Sequence, residues 1–222
     1  MPSVKGGVRG RLLDVLTVLV SLAAIAASVQ PGSVARTIWT KYHDRIQYNR
    51  AVKYVWPKAA QEASPLFASA GPPDIVEISD YECPFCRATT ASVDSAVRAG
   101  AKLALLQVPG PTHSMAEGAA LSALCAEEAG RFREMHERLM STSSWRTDSN
   151  WTREAQLAGV KDLAAFDACR RSEHVRKRLA RHREFADSLH APGTPMFVTP
   201  DAYRVGMVSA RELRELARNK GR

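Results

Sequence analysis

An apolar segment close to the N-terminus is the longest hydrophobic stretch of the chain. It runs from Leu12 to Val29 with Asp14 as its one charged residue, and it follows three basic residues, Lys5, Arg9 and Arg11. This pattern predicts a signal anchor with its positive end in the cytoplasm, because cytoplasmic flanks are enriched in basic residues. A secretory signal cleaved near Ala24-Ile25-Ala26 is the alternative. Both interpretations export the rest of the chain to a compartment where disulfides persist.

Residues 31–72 form a mixed stretch between that segment and the remainder of the chain. Pro31-Gly32 ends the apolar segment, and Ala70-Gly71-Pro72-Pro73 closes the mixed stretch. Its aromatic residues, interspersed with basic ones, suit either a membrane interface or a short amphipathic helix that packs on a domain. We therefore predict a juxtamembrane connector here, between residues 1–30 and a domain over 73–222.

From Asp74 onward the pattern becomes that of an α/β domain. Ile75–Ile78 is a short apolar run rich in β-branched residues, which predicts a buried strand. A helical pattern follows over 84–99 and stops at Gly100, and residues 102–108 predict a second buried strand. The domain is therefore expected to begin with strand, helix and strand.

A long helical block separates these strands from two later ones. Helical spacing recurs in segments 116–129, 132–139, 151–158, 162–170 and 173–189. Strands are predicted at 196–199 and 204–208. A final helix is predicted to start at Ser209, since Glu212 three residues later completes a capping box. This order of elements indicates the α/β class.

Positive charge exceeds negative charge, with a formal net charge of +8. Much of the excess lies in one run: Arg170, Arg171, Arg176, Lys177, Arg178, Arg181 and Arg183. Apolar residues at near-helical spacing, such as Val175 and Leu179, interrupt the run, so its basic residues are predicted to form the solvated face of an amphipathic helix. No aromatic interleaving or recognition motif accompanies them, and we expect no nucleic-acid partner.

The candidate chemistry lies in Cys83-Pro84-Phe85-Cys86, where the first predicted strand turns into a helix. The first turn of a helix has free N–H groups and the positive end of the helix dipole, and both favour a thiolate over a thiol. Pro84 is tolerated in that turn because no hydrogen bond is lost there. The spacing lets Cys83 act as the nucleophile and Cys86 as the resolving thiol of a redox pair.

Other uses of this motif fit the sequence less well. A zinc site would need a second pair of cysteines or clustered histidines, and a haem attachment would need His where Arg87 stands. A purely structural disulfide between Cys83 and Cys86 stays open as an alternative, although the strand-to-helix placement favours reactivity. We expect no metal and no cofactor.

A second candidate feature is Gly193-Thr194-Pro195, just before a predicted late strand. A proline there is compatible with an ordinary strand edge. A cis Thr194–Pro195 bond would instead bring the loop against the cysteines and leave the Thr194 backbone free to pair with an extended substrate. Taken alone, this motif does not decide between the two.

In combination, these motifs resemble the DsbA-like branch of the thioredoxin superfamily over about residues 74–220. The similarity includes the strand leading into Cys83-Pro84-Phe85-Cys86, the segment from Cys125 to His136, and Gly193-Thr194-Pro195. The resemblance implies a thioredoxin-like fold with an inserted α-helical subdomain at about 113–190, here preceded by an N-terminal apolar helix. It also implies a cis Pro195 and oxidation of exported proteins. A short loop at Pro109–His113 and a late loop without glycine depart from the family pattern, which affects the expected substrates more than the chemistry.

Cys125 and Cys169 are the two remaining cysteines. Four cysteines in an exported protein suggest two bridges, and with Cys83 paired to Cys86 the second bridge joins Cys125 to Cys169. A structural role is our interpretation, and a second redox relay is the alternative.

The predicted function is that of an extracytoplasmic thiol–disulfide oxidoreductase. It would sit in a bacterial cytoplasmic membrane by a single N-terminal span, with its catalytic domain on the periplasmic side, or be secreted to the periplasm after cleavage. Its expected partners are reduced exported proteins and a membrane quinone-linked thiol oxidase that reoxidises it. The alternatives are an extracytoplasmic reductase or isomerase, and a non-catalytic tethered module that binds peptides or copper.

Overall fold

The computed structural model describes residues 8–28, 30, 32–69 and 71–218, which form two compact units divided between Tyr48 and Asn49. The first unit contains helix α1, Val8–Ser28, whose residues 15–27 are all exposed. Lys5 and Val29 of the predicted anchor lie outside the described residues. Among the described residues, no helix is both long enough and apolar enough to cross a membrane.

Helix α2, Val34–Glu62, occupies most of the stretch predicted as a connector. Its C-terminal half belongs to the second unit, where Val52 and Ala59 are buried. The helix contains Pro57. The sequence left open whether this stretch contains a short amphipathic helix. In the structure it contains a helix of 29 residues.

The second unit contains a five-stranded mixed sheet with strand order β1-β3-β2-β4-β5. The strands are β1 Ser64–Pro65, β2 Ile75–Ser79, β3 Leu103–Gln107, β4 Met196–Val198 and β5 Tyr203–Val205. β2 and β3 are parallel, as a strand–helix–strand unit requires, and the other pairs are antiparallel. This arrangement is a thioredoxin-like α/β fold.

The two faces of the sheet are both buried but differ in what they contact. Ile75, Leu103, Leu105 and Phe197 belong to the main hydrophobic core. They lie on one face because side chains alternate along each strand and the β2–β3 register pairs Ile75 with Leu103. That core also contains Cys86, so this face of the sheet supports the candidate redox site.

Helix α3, Pro84–Arg98, follows β2 and ends before Gly100, whose φ of +95° suits a residue without a Cβ. A helical block follows β3, and a last helix follows β5. These helices are α4 Ala116–Glu128, α5 Phe132–Ser141, α6 Trp151–Leu157, α7 Leu163–Arg171, α8 Glu173–Ser188 and α9 Ala210–Arg218. The predicted helices are thereby confirmed to within about two residues at their ends.

The structure confirms the predicted capping box but differs from the predictions at β5 and β1. The capping box before α9 is present, since Glu212 N donates to Ser209 Oγ at 3.2 Å and Ser209 N donates to Glu212 Oε2 at 2.8 Å. The prediction for β5 was wrong in its bounds, because the strand begins at Tyr203 and ends before Gly206. β1 was missed, because two residues carry no alternating pattern.

Candidate active site

Cys83 and Cys86 lie at the N-terminus of α3, as the motif predicts. Cys83 is the N-cap residue, with φ −63° and ψ 121°, and Pro84 is the first residue of the helix. Cys83 O accepts a hydrogen bond from Arg87 N at 3.1 Å, which closes the first helical turn. Both cysteines are free thiols in this structure. The helix dipole therefore acts on Cys83 from within the first turn.

The Thr194–Pro195 loop lies against the cysteines. The Thr194–Pro195 peptide bond is cis, and the Cys83 thiol donates to Thr194 O at 3.3 Å. Cys83 and Thr194 are 111 positions apart in the sequence. The fold thus brings together two motifs that lie far apart in the chain.

Cys86 lies behind Cys83 and is shielded from solvent, with 1% of its surface exposed. Burial raises the pKa of the Cys86 thiol well above its usual range, and the Glu77 carboxylate raises it further. Polar groups of Asp80, Thr194 and Ser79 act in the opposite direction on this pKa. Cys86 is therefore a thiol that stays protonated until a base takes its proton.

Glu77 is a functional candidate that the sequence reasoning missed. Its side chain lies in the middle of β2 with 2% of the residue exposed, and burial raises its pKa from 4.5 to about 7. Asp94 raises this pKa further, whereas the Ser79 hydroxyl lowers it. The sequence does contain a signal for it, a carboxylate within the apolar run Ile75–Ser79. Burying a charged side chain is costly, and such groups cluster at functional sites.

Asp80 and Glu82 hold the loop that follows β3. Asp80 Oδ1 accepts from Glu82 N at 2.8 Å, and Asp80 Oδ2 accepts from Gly110 N at 2.6 Å and lies 2.7 Å from His113 Nδ1. Glu82 Oε2 accepts from Met115 N at 2.6 Å. Because both carboxylates are committed to these partners, they position the loop beside the cysteines.

Tyr81 connects the redox motif to two buried histidines. Tyr81 Oη accepts from Gln107 Nε2 at 3.3 Å and lies 3.4 Å from His136 Nδ1. Gln107 N donates to His182 Nδ1 at 3.0 Å. Burial lowers the pKa of His136 to about 4 and that of His182 to about 3, so both rings are neutral near pH 7. His136 is fully within the core, with 2% of the residue exposed.

Arg87 ties α3 to the helical block. Its guanidinium donates to Leu139 O at 2.7 Å and to Thr142 O at 2.8 Å, and these carbonyls lie at the C-terminal end of α5. Helix ends leave such carbonyls without intrahelical partners. Trp145 Nε1 also donates to both carbonyls at 3.1 Å, so Arg87 and Trp145 satisfy them together. Arg87 thus fixes the orientation of α3, the helix that follows the redox motif.

Pro84 and Phe85 face solvent beside the cysteines. Phe85 has 57% of its surface exposed. A large apolar side chain at the mouth of a reactive site is a suitable contact for an unfolded polypeptide. Its part in substrate binding stays a prediction.

Cys125 and Cys169 form a disulfide that joins α4 to α7, with a Cα–Cα distance of 5.8 Å. Cys125 is 1% exposed, and such burial favours the structural interpretation over the redox relay. Over the part of the chain that the structure describes, no group of three or more His, Cys, Asp or Glu side chains is arranged to hold a metal ion.

Comparison with known proteins places this geometry in context. The thioredoxin family model matches residues 68–216. A curated relative, the Na⁺/H⁺ antiporter NhaA 1 of Mycolicibacterium gilvum, is 33% identical over 158 residues, which are 68% of this chain and 25% of that protein. The chain thus spans about a quarter of that relative's length.

Solved structures show the same fold. A thioredoxin-like oxidoreductase from Silicibacter pomeroyi is 29% identical, with a TM-score of 0.58 over 64% of this chain and 82% of that one. The thiol-disulfide exchange protein alpha-DsbA2 from Wolbachia pipientis is 16% identical, with a TM-score of 0.70 over 79% of this chain and 96% of that one.

Proposed function

The chain belongs to the thioredoxin family, and from that premise we propose that it is a thiol–disulfide oxidoreductase that introduces disulfides into exported proteins through Cys83 and Cys86. One observation carries the proposal. The Cys83 thiol lies at the N-terminus of α3 and 3.3 Å from Thr194 O of the cis-proline loop, with Cys86 buried behind it. This arrangement combines a thiol at a helix N-terminus, a resolving thiol behind it and the backbone of the cis-proline loop beside them.

The chemistry follows from these positions. In the oxidised protein, a substrate thiolate attacks Cys83 Sγ, the Cys83–Cys86 bond breaks, and Cys86 leaves with the electron pair as a thiolate. A second substrate thiolate then attacks the substrate sulfur of the mixed disulfide, and Cys83 leaves as a thiolate. Two electrons pass from the substrate to the cysteine pair. Cys83 is the N-cap residue of α3, so its sulfur takes up this electron pair at the positive end of the helix dipole.

The membrane placement is part of the proposal. The basic and apolar N-terminal segment supports an anchor with the redox unit on the periplasmic side, and the Mycolicibacterium gilvum relative bears the name of an antiporter, which works across a membrane. Secretion after cleavage is the alternative. At a membrane surface, a quinone-linked thiol oxidase would accept the two electrons and restore the Cys83–Cys86 disulfide.

The reduction potential of the cysteine pair tests the direction of electron flow. The full chain in detergent is equilibrated in glutathione buffers, thiols are trapped by alkylation, and the Cys83–Cys86 peptide is quantified separately from the Cys125–Cys169 peptides. We expect a potential closer to about −120 mV than to the roughly −270 mV of thioredoxin. A value at the thioredoxin end would refute the oxidase and favour the reductase or isomerase.

Cys83→Ser tests whether the protein is an enzyme at all. The variant should lose oxidation of a reduced peptide, while Ser144→Ala should retain it, because Ser144 is an exposed residue at the start of the short 3₁₀ helix Ser144–Arg146. If the Cys83→Ser variant had the same activity towards unfolded polypeptides as the wild type, the protein would be a non-catalytic peptide-binding module and not an enzyme.

A further inference from the structure

Two adjoining cavities lie at the C-terminal end of α3, the end opposite the redox motif. The first, called the basic pocket, is lined where the helix ends by Val97, Arg98 and Gly100. The second, called the apolar groove, meets it at Phe67, which lines both cavities. Because α3 has 15 residues, about 22 Å of helix separates the basic pocket from Cys83. A ligand held here would leave the redox motif uncovered.

The basic pocket has a volume of about 250 Å³ and is lined by three cationic side chains, Arg98, Lys102 and Arg133. None of its described lining residues is acidic. Arg133 Nε donates to Glu137 Oε1 at 3.0 Å, but both side chains of this pair are about half exposed, so water screens the charge of Glu137. Three cations around one small pocket favour an anion, and guanidinium groups suit the oxygens of a phosphate in particular.

Lys102 lies at the junction of the two cavities. Its ammonium group is 5.8 Å from the centroid of the Phe67 ring, within the range of a cation–π contact. A Cβ on Gly71 would lie 3.2 Å from Lys102 Nζ, so the glycine leaves the room that this side chain needs. The positive charge is thus held directly beside the aromatic ring that borders the apolar groove.

The apolar groove has a volume of about 650 Å³, within the range of about 300–1,000 Å³ that is typical of ligand sites. Its aromatic and proline lining residues are Trp56, Pro57, Pro65, Phe67, Pro72 and Pro73. Its one charged residue among those described, Glu127, is paired, because Glu127 Oε2 accepts from Arg178 Nη2 at 2.9 Å and from Ser64 Oγ at 2.5 Å.

The groove suits a hydrocarbon chain better than a peptide. Proline has no backbone N–H, so the proline-lined wall offers few donors to an extended polypeptide. Pro65 belongs to β1, the edge strand on this side of the sheet, where a proline also hinders the addition of a further strand. A ligand of this groove would therefore be bound by apolar contact and not by backbone pairing.

We propose that the basic pocket and the apolar groove together bind an anionic phospholipid, with its phosphate in the basic pocket and an acyl chain in the apolar groove. A cationic pocket beside an apolar groove matches the two halves of such a molecule. The inference goes beyond the redox function, because it assigns a lipid site to the end of α3 that carries no redox residue.

Lipid binding is measured by native mass spectrometry of the full chain in a neutral detergent, with phosphatidylglycerol or phosphatidylcholine added in increasing amounts. We expect one phosphatidylglycerol to be retained much more tightly than phosphatidylcholine, whose choline group cancels the phosphate charge. Retention should weaken as the concentration of the ammonium acetate buffer rises, because salt screens exposed charges. Equal retention of the two lipids would overturn the proposal.

Arg98→Gln/Arg133→Gln tests the basic pocket. A basic residue near anionic lipid contributes about fivefold to binding, so this variant should bind phosphatidylglycerol about 25-fold more weakly. Arg211→Gln/Arg218→Gln is the matched control, because it removes the same charge at two exposed residues that line neither cavity. The control should bind like the wild type. A wild-type affinity in Arg98→Gln/Arg133→Gln, or an equal loss in both variants, would contradict the site.

Trp56→Ala tests the apolar groove. It should weaken the retention of phosphatidylglycerol several-fold, whereas Tyr54→Ala should not, because Tyr54 lies on the same helix but is 83% exposed and lines neither cavity. Excess inorganic phosphate should displace little lipid, since it cannot fill the groove. If inorganic phosphate displaced the lipid completely and Trp56→Ala bound it like the wild type, the site would be one for a free anion, and the lipid proposal would be wrong.

The lipid site and the redox function are tested separately. Cys83→Ser should retain phosphatidylglycerol like the wild type, and Arg98→Gln/Arg133→Gln should exchange disulfides with a reduced peptide at the wild-type rate. An unchanged urea midpoint shows that each variant is folded. A chain that binds the lipid but exchanges no disulfides would remove only the oxidoreductase, and a chain that exchanges disulfides but does not prefer the anionic lipid would remove only the lipid site.

Discussion

Removal of the Cys125–Cys169 disulfide should cost the fold about 4 kcal/mol. The bridge joins residues separated by 44 positions in the chain. Closing a loop of that length lowers the entropy of the unfolded chain by about 13 cal/mol/K, which is about 4 kcal/mol at 25 °C in the chain-entropy model. Because a stable domain has only about 5–15 kcal/mol in total, the change would be large.

The measurement is urea unfolding of the full chain without reductant, for the wild type and for Cys125→Ala/Cys169→Ala. With a slope of about 2 kcal/mol/M, the midpoint should fall by about 2 M. Cys83→Ala/Cys86→Ala is the matched control, because those thiols are unbonded in this structure and close no loop. That control should unfold within about 1 M of the wild type under the same conditions.

The activity of Cys125→Ala/Cys169→Ala distinguishes a structural disulfide from a second redox pair. Below its unfolding transition, Cys125→Ala/Cys169→Ala should oxidise a reduced peptide at close to the wild-type rate. A midpoint shift below about 0.5 M would refute the entropy argument. A fully folded variant without exchange activity would instead make Cys125 and Cys169 a second redox pair.

Three further changes test other parts of the structure. Gly118→Ala would place a Cβ 2.6 Å from Cζ2 of Trp151, so it should destabilise the helical block by about 1–3 kcal/mol, and an unchanged urea midpoint would contradict this packing. The folded pKa values of His136 and His182 lie below the unfolded value of about 6.5, so stability should be full above pH 6.5 and decline as pH falls towards 4. The free energy of unfolding should fall by about 2 kcal/mol per histidine between pH 7 and pH 5, and His136→Phe should show a weaker pH dependence than the wild type. Glu77 has a folded pKa of about 7, above its unfolded value, so its cost to stability grows from pH 4.5 to pH 7. Glu77→Gln should therefore raise the free energy of unfolding at pH 8 by up to about 3 kcal/mol, and a variant less stable than the wild type at pH 8 would contradict this cost.

Local signals in the sequence were sufficient for the elements around the redox motif. The apolar run at Ile75–Ser79, the stop at Gly100 and the capping box at Ser209 each act within a few residues, so they can be identified without knowledge of the fold. The Cys83-Pro84-Phe85-Cys86 motif is equally local, because its chemistry depends on the first turn of its own helix. Elements with weak local patterns, such as β1 and the start of β5, were missed or misplaced.

The sequence alone thus determined the α/β class, the reactive cysteines and the order of elements, since these depend on periodicity and on neighbouring residues. Only the tertiary structure brought Thr194 to Cys83, Asp80 to His113, and Arg87 to Leu139. Those relations depend on which strands are adjacent and in what register, and on which face each helix covers. Partners that are many positions apart in the chain leave no periodic trace in it, because their proximity is a property of the packed core as a whole.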